Sequence, residues 1–481
     1  MVATAPLDRT RPFGPNDGER PLSTGASLGR RPAPRSGPLW AAGASALLSG
    51  LYWAVYLRHY RPISDAMHYD GIARNVARGL GIAHEYPGVA LHPTAFRPPM
   101  WPALLGGAYR IAGAHLAVGQ ALNLVLGAVG AALVYLVAAE LANPRAGLVA
   151  GLVFAAYPPL LANNVTTLSE PLGIVVLLCA VWALVRRRPL LAGVAAGLLA
   201  LTWTSGQLFV VLVALCAWRL VGRRGAVAAL VAGLCVVAPW SVRNEVRVGT
   251  PQLDTSNGYN LAAVYSPETQ RVPHVYSTDP VTAPAFDTPA WQAARAHEAT
   301  WDQLLRDRGI TGIKDNPVRV LETVRHNIAA MFDVGSPDNR YADHLDGRSR
   351  TVRAIGSWCF PIVTALGLAG LALSMRSPGV GVVVAVTAYF GALTIPTVMA
   401  PRLRGPFDLA CCLGCGLLVR WAIDRRATRK AGSAPVDLTL AEKENMTVAP
   451  APSLPGRGVR AGRGRHRLVA RRWGARVSAI R

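Results

Sequence analysis

Short stretches of this chain set ionisable side chains at the edges of apolar runs, where a charge is costly unless it has a partner or a task. Asp65 and Asp70 lie in ISDAMHYDGIARNVARGLG (63–81), directly after such a run. Five positions on a helix turn through about 500°, so the two carboxylates project roughly 140° apart and do not form a paired dyad. Ile72, Val76 and Leu80 recur as one apolar stripe, which predicts an amphipathic helix resting on a bilayer with Asp65 capping its N-terminus. In FRPPMWP (96–102), Arg97 can either grip a phosphate bidentately or snorkel to lipid head groups. Glu170 opens an apolar run in TTLSEPL (166–172), and its cost at the edge of hydrocarbon favours a functional role over capping. PWSVRN (239–244) closes a run, with Trp240 as an interface anchor and Arg243 beyond it. PRLRGPFDLA (401–410) does the reverse: Arg402 and Arg404 precede the run and Asp408 sits a turn inside, within reach of either arginine. Brought to one surface, several arginines beside a few carboxylates suit an anionic lipid-phosphate substrate approached from within the bilayer.

What must position these residues is a helix bundle in lipid. Hydrophobic residues make up 51% and charged residues 16% of the 481 positions, against roughly 25% charged in an ordinary globular protein. Apolar runs long enough to cross hydrocarbon recur at 38–57, 115–141, 145–162, 169–187, 189–205, 206–222, 225–242, 353–375, 378–398 and 404–423. Placing the N-terminus in the cytoplasm puts Arg145, Arg186 to Arg188, Arg223, Arg224, Arg376, Arg425 and Arg426 inside, as the positive-inside rule asks. The turns near Glu170, Ser205 and Pro401 then lie outside, with residues 58–114 and 243–352. Segment 99–113 is short for a span and reads as an interfacial helix, since making it a span would put the Arg186–Arg188 turn outside. The fold class is therefore an all-α polytopic membrane protein. It has about ten transmembrane helices, interfacial helices in the first outer loop (58–114), and a large mixed extracytoplasmic loop domain (243–352). That loop domain opens with TSNGYNL (255–261), continues through a Pro-rich middle, and carries amphipathic helices near 289–308 and 317–331. Residues 1–36 and 424–481 read as disordered basic cytoplasmic tails flanking the membrane domain at 37–423.

The net charge of +23 is concentrated in those tails, where Arg, Pro, Gly, Ala and Ser dominate. Basic tails beside a membrane set topology and touch anionic lipid, so nucleic acid is not expected as a partner. The seven cysteines all fall in expected spans, which excludes a disulfide framework in the polar loop. Cys412 and Cys415 form a lone CxxC in an apolar segment and read as packing residues. The first span reads as an uncleaved signal-anchor, and no internal repeat marks the chain as an inverted-repeat transporter.

Taken in order, the acidic segment after the first span, RPPMWP, ANPRAGLVAGLVFAAYPPLL, LSEPL, PWSVRN with NGYNL, and PRLRGPFDL resemble the GT-C superfamily of membrane glycosyltransferases. The resemblance spans roughly residues 38–423. Within the superfamily it is similar to the family 39/83 branch, which includes the protein O-mannosyltransferases and the lipid A aminoarabinose transferase. The resemblance implies an inverting transfer of a sugar from a polyprenyl-phosphate donor to the hydroxyl of a glycan, lipid or protein acceptor at the outer face of the plasma membrane. It implies Asp65 as the general base that takes or orients the acceptor proton, and Arg97 as the residue that holds the donor phosphate. Arg243, Arg402 and Arg404 are further candidates for phosphate binding, and Asp70, Glu170, Tyr259 and Asn260 further site candidates. Where the family often carries a basic residue after the fifth span, this chain has TWTSG (202–206). Some relatives use a divalent metal; with no DxD motif, and with His68 read as an interfacial histidine, no obligatory metal or other cofactor is expected. A flippase of lipid-linked sugars, or a non-catalytic subunit of an envelope-building complex, is the alternative. A flippase explains neither the size of the outer loop nor Asp65 with RPP.

Overall fold

The computed structural model describes residues 36–58, 60–86, 89–269, 297–332, 340, 344, 346–397 and 401–432. Two compact units divide the chain, Met1–Arg426 and Ala427–Arg481, and the second contributes only the last residues of one helix to the described positions. The elements are α1 (Gly37–Tyr56), α2 (Asp65–Ala77), strands β1 (Ala83–Tyr86) and β2 (Val89–Pro93), α3 (Met100–Ala112), α4 (Leu116–Leu141) and α5 (Pro144–Ala156). There follow α6 (Pro158–Leu161), α7 (Glu170–Val185), α8 (Pro189–Ala200), α9 (Phe209–Val221), α10 (Arg223–Val248) and α11 (Asn257–Tyr265). The last are α12 (Glu298–Asp315), α13 (Val318–Phe332), α14 (Arg350–Leu373), α15 (Pro378–Thr394) and α16 (Gly405–Gly432).

Each apolar window meets a helix, and the protein is an all-α polytopic membrane protein. Among the described residues, six stretches are long and apolar enough to cross a bilayer: Gly37–Tyr56, Leu116–Leu141, Thr204–Val221, Arg223–Val248, Arg350–Leu373 and Arg402–Thr428. Glu170–Val185, Pro189–Ala200 and Pro378–Thr394 are apolar but shorter; a 12-residue helix spans about 18 Å of a hydrocarbon layer about 30 Å thick. The window at 145–162 is not one straight span. Pro158 and Pro159 lack the donors an α-helix needs, and the chain bends by 61° between Pro144–Ala156 and Pro158–Val165.

That bend leaves backbone carbonyls inside the bundle, and side chains from neighbouring helices answer them. Gln120 Nε2 donates to Val165 O at 2.9 Å, and Asn123 Nδ2 to Thr166 O at 2.7 Å and Leu168 O at 2.8 Å. Trp101 Nε1 donates to Thr167 O at 2.9 Å. Irregular backbone at membrane depth persists only where it is satisfied in this way. Here it sets the start of α7, and so the position of Glu170. Elsewhere small residues bring helices together: a Cβ on Gly367 or Gly370 of α14 would collide with the backbone of Cys411 or Gly414 in α16. The seven cysteines are free thiols.

Several expectations change. The stripe on α2 is split: Ile72 is fully buried, whereas Leu80 lies beyond the helix end and is exposed. Val76 meets Gly106, so α2 packs on α3, which lies in the segment read as an interfacial helix. The antiparallel hairpin β1–β2, with Ala83 opposite Pro93 and His84 opposite His92, was not foreseen because AHEY and VALHP lack an alternating pattern. In the large loop, the helix expected near 289–308 is observed at Glu298–Asp315, and the one near 317–331 at Val318–Phe332. Residues 270–296, which hold most of the Pro-rich middle and the start of the helix expected near 289–308, and nearly all of both tails lie outside the described residues. Helix α16 runs past its expected end at 423, helped by the Arg420–Asp424 pair one turn apart.

Candidate functional site

Asp65 is the first residue of α2 and not its cap. Ser64 holds the capping position with φ of 53° and makes no side-chain cap bond. A positive φ is strained for any residue with a Cβ. Asp65 Oδ1 accepts from Nη2 of Arg97, and its Oδ2 accepts from Nη2 of Arg402. Burial would raise this carboxyl, but the guanidiniums of Arg97 and Arg402 hold it well below the usual carboxylate range.

Arg402 sits in the 3-10 turn Pro401–Arg404 that leads into α16. Three carboxylates surround its guanidinium. Besides Asp65, Nη1 donates to Glu170 Oε1 at 3.1 Å, and Nε lies 3.4 Å from Asp346 Oδ1. Asp346 in turn lies 3.9 Å from Arg348 Nε, and Arg348 Nη2 donates to Asn163 Oδ1 on the bent segment after α6. Glu170 and Asp346 are more than nine-tenths buried at the side chain, whereas one-fifth of the Asp65 side chain is exposed.

Arg97 is fixed from several directions. Pro98 and Pro99 confine the backbone after it. The preceding residues hang on Glu298 of α12, which accepts from Thr94 Oγ1 at 2.6 Å, from the Ala95 amide at 2.7 Å and from Thr255 Oγ1. Arg243 completes the support by donating to the carbonyls of Thr94 at 2.8 Å and Ile82 at 2.7 Å. The Arg97 guanidinium lies over the Phe96 ring at 4.8 Å, and Nη2 is 3.2 Å from His68 Nδ1. Burial and the Arg97 charge push His68 down to about 3, so its ring is neutral and Nδ1 accepts. Tyr259 stands edge-on to Phe96 at 5.9 Å and carries a phenol raised to about 12 by burial.

The structure thus brings Asp65, Arg97, Glu170 and Arg402 together, with Tyr259 at the edge, and places the other expected site residues elsewhere. Asp70 points away on α2 and pairs with Arg74 at 2.7 Å and the Tyr109 hydroxyl at 2.6 Å. Arg404 is sealed against Asp408 at 3.0 Å, the Met331 carbonyl at 2.9 Å and the Phe360 ring at 3.9 Å. Asn260 reaches Ser256 Oγ at 3.5 Å within α11. In TWTSG, Thr204 donates to the buried Asp254, which also accepts from the Ser256 amide at 2.6 Å. Sequence reasoning missed Asp346, Arg348 and Glu298, and read His68 as an interfacial histidine; the acid and base of DGRS, just ahead of a span, were the available signal for the first two. Among the described residues no group of three His, Cys, Asp or Glu side chains could hold a metal ion.

No protein-family model and no curated protein sequence matches the chain. Among solved structures, the oligosaccharyltransferase AglB of Archaeoglobus fulgidus, in complex with an inhibitory peptide and a dolichol-phosphate, is similar over 86% of this chain and 53% of its own. The TM-score is 0.49 and the identity 14%. ArnT from Cupriavidus metallidurans bound to undecaprenyl phosphate is similar over 81% of this chain and 79% of its own, with a TM-score of 0.39 and 16% identity. The chain spans about half the length of the oligosaccharyltransferase. At these scores the likeness carries no functional argument, which rests on the site.

Proposed function

We propose that this protein is a glycosyltransferase that moves a sugar from a polyprenyl-phosphate donor to an acceptor hydroxyl, of a glycan, lipid or protein, at the outer face of the plasma membrane. The observation that carries the reading is the Asp65 carboxylate held between the guanidiniums of Arg97 and Arg402. These three residues come from the start of α2, the loop before α3 and the turn before α16.

The chemistry follows from their types. A donor phosphate entering the site offers Arg97 and Arg402 an anion with better bidentate geometry than a carboxylate that gives each of them one oxygen. Asp65 then loses its counter-charges and becomes a stronger base, in place to accept a hydrogen bond from the acceptor hydroxyl. The acceptor oxygen attacks the anomeric carbon as its proton passes to Asp65. The bond from that carbon to the phosphate oxygen breaks, and the leaving phosphate keeps the electron pair. Two guanidiniums neutralise the charge that develops on it. Attack opposite the leaving group inverts the anomeric centre. Neutral His68 holds Arg97 without competing for the phosphate.

The test uses purified protein, a panel of polyprenyl-phosphate sugars and membrane extract as acceptor, comparing wild type with Asp65→Asn. Transfer by wild type, lost in the variant while donor still binds, supports the assignment. Donor binding without transfer in either protein would move the reading to a flippase or an accessory subunit.

A further inference from the structure

The carboxylates around Arg402 do not use all their oxygens. Asp65 commits both, one to each arginine. Glu170 gives Oε1 to Arg402, and Asp346 sets Oδ1 beside Nε of the same guanidinium. The second oxygens, Glu170 Oε2 and Asp346 Oδ2, are buried and have no hydrogen-bond partner among the described residues. Asp346 Oδ2 lies 3.9 Å from Arg348 Nε, beyond hydrogen-bond reach. A buried acceptor left without a donor is costly, and more so when it is charged, so two such atoms beside one guanidinium point to groups that arrive with a ligand.

The chemistry of that ligand is constrained. An ionised carboxylate only accepts, so its partner must donate. A second anion is repelled, and Arg402 already occupies the cationic centre between the carboxylates. What fits is a neutral group rich in O–H donors, lying next to the arginines that would hold the donor phosphate.

We propose that Glu170 and Asp346 form a hydroxyl-recognition subsite for the sugar carried by the lipid-phosphate donor. This deepens the function proposed above and rests on it. The sugar is the part of the donor attached directly to the phosphate, so a phosphate on Arg402 places sugar hydroxyls beside the two oxygens. Asp346 comes from the end of the large loop and Glu170 from the start of α7. The loop domain therefore contributes directly to donor selection. Both residues act on the glycone and not on the reacting bond.

The experiment measures binding of four probes to the full chain in lipid nanodiscs: polyprenyl monophosphate without sugar, polyprenyl-phosphate mannose, polyprenyl-phosphate arabinofuranose, and a 2-deoxy form of whichever sugar donor binds tighter. Wild type, Glu170→Gln and Asp346→Asn are compared, with thermal midpoints recorded to show that each is folded. The expected result is a loss of about tenfold or more for the tighter hydroxylated donor in either variant, the scale of one charged hydrogen bond. The sugar-free lipid phosphate should bind unchanged within about twofold. The deoxy donor tests the same contact without mutation, since it should distinguish wild type from at least one variant less sharply than its parent. Equal losses for sugar-free and sugar-bearing lipids would overturn the subsite and leave the residues as supports for Arg402. Saturable binding of Mg²⁺ or Mn²⁺ that both substitutions remove would reassign the pair to a cation. If wild type binds none of the lipids, the proposed function fails and the subsite with it.

Discussion

Asp65 and Arg402 are 337 positions apart in the chain and meet in an ion pair at one end of the bundle. The same carboxylate pairs with Arg97, 32 positions away, so one side chain holds two arginines from different loops in register. This makes Asp65 both a spacer in the resting site and a candidate base in the working one. Asp65→Asn keeps the shape and removes the basicity. Turnover should fall by roughly 10²–10⁴, while donor affinity holds or rises because the arginines lose a competing anion. A steady-state assay paired with a donor-binding titration reads both quantities; a parallel loss of affinity would sink the assignment of the base.

Removing Arg402 has a different consequence. Asp65, Glu170 and Asp346 would then share a buried space with Arg97 and Arg348 as the remaining paired arginines among the described residues. Breaking a buried charge network from one side costs about 3–5 kcal/mol, so Arg402→Gln should be destabilised by that order as well as inactive. Adding Glu170→Gln and Asp346→Asn to that variant should restore most of the stability and none of the activity. Denaturant or thermal midpoints of the single and triple variants check it; additive destabilisation would show that the four groups are not one network.

The bundle was legible in the sequence because each apolar window has one physical solution in lipid, and a helix stands at every one. The bend after α5 was not, although Tyr157-Pro158-Pro159 announces a break. What the sequence does not display is that Gln120, Asn123 and Trp101 lie where they can take the exposed carbonyls. Asp65, Arg97 and Glu170 stood out because charge beside an apolar run is expensive. Asp346 and Glu298 escaped notice because they sit in a polar loop where acids are ordinary. Their roles depend on contacts with Arg402 and Thr94, across 56 and 204 positions respectively. Arg404 shows the opposite pull: its spacing to Asp408 was noted, yet the family motif drew it toward phosphate, whereas in the fold Phe360 and Asp408 enclose it.

Asp254 supplies a pH dependence. It is fully buried, and burial lifts its carboxyl to about 6 despite hydrogen bonds from Ser256 and Thr204. An unfolded chain releases the same proton near pH 4. The folded state therefore binds the proton more tightly, and the stability from this group is fully present below about pH 4 and is lost as pH rises to about 6. Asp254→Asn imitates the protonated form, so the variant should lose less stability than wild type over that interval. Thermal midpoints across pH 4–7 for both proteins decide it, and identical slopes would exclude Asp254 as the titrating group.

Glu298 offers a test of how Arg97 is positioned. Its carboxylate ties together Thr94, Ala95 and Thr255, and so fixes the residues that lead into Arg97. Glu298→Gln retains acceptor capacity at one oxygen and should cost about 1–3 kcal/mol of local stability. Because Arg97 then samples more orientations, the apparent KM for the donor should rise more than kcat falls. Arg243→Lys, which cannot serve both the Thr94 and Ile82 carbonyls with one ammonium in the same fork geometry, should move the parameters the same way.

The last prediction separates Arg404 from the phosphate-binding arginines. Arg404 and Asp408 are a buried pair one helical turn apart, with side chains about 2% and 1% exposed. Tyr157 adds a hydrogen bond to the same carboxylate at 3.2 Å. Cutting the pair on one side, as in Arg404→Met, strands Asp408 and should cost about 3–5 kcal/mol. Replacing both at once, Arg404→Met with Asp408→Leu, removes the two desolvated charges together and should return the stability to near wild type. If Arg404 is structural, the double variant binds the lipid-phosphate donor as wild type does, whereas Arg402→Gln does not. Stability restored without donor binding would instead place Arg404 among the groups that hold the phosphate.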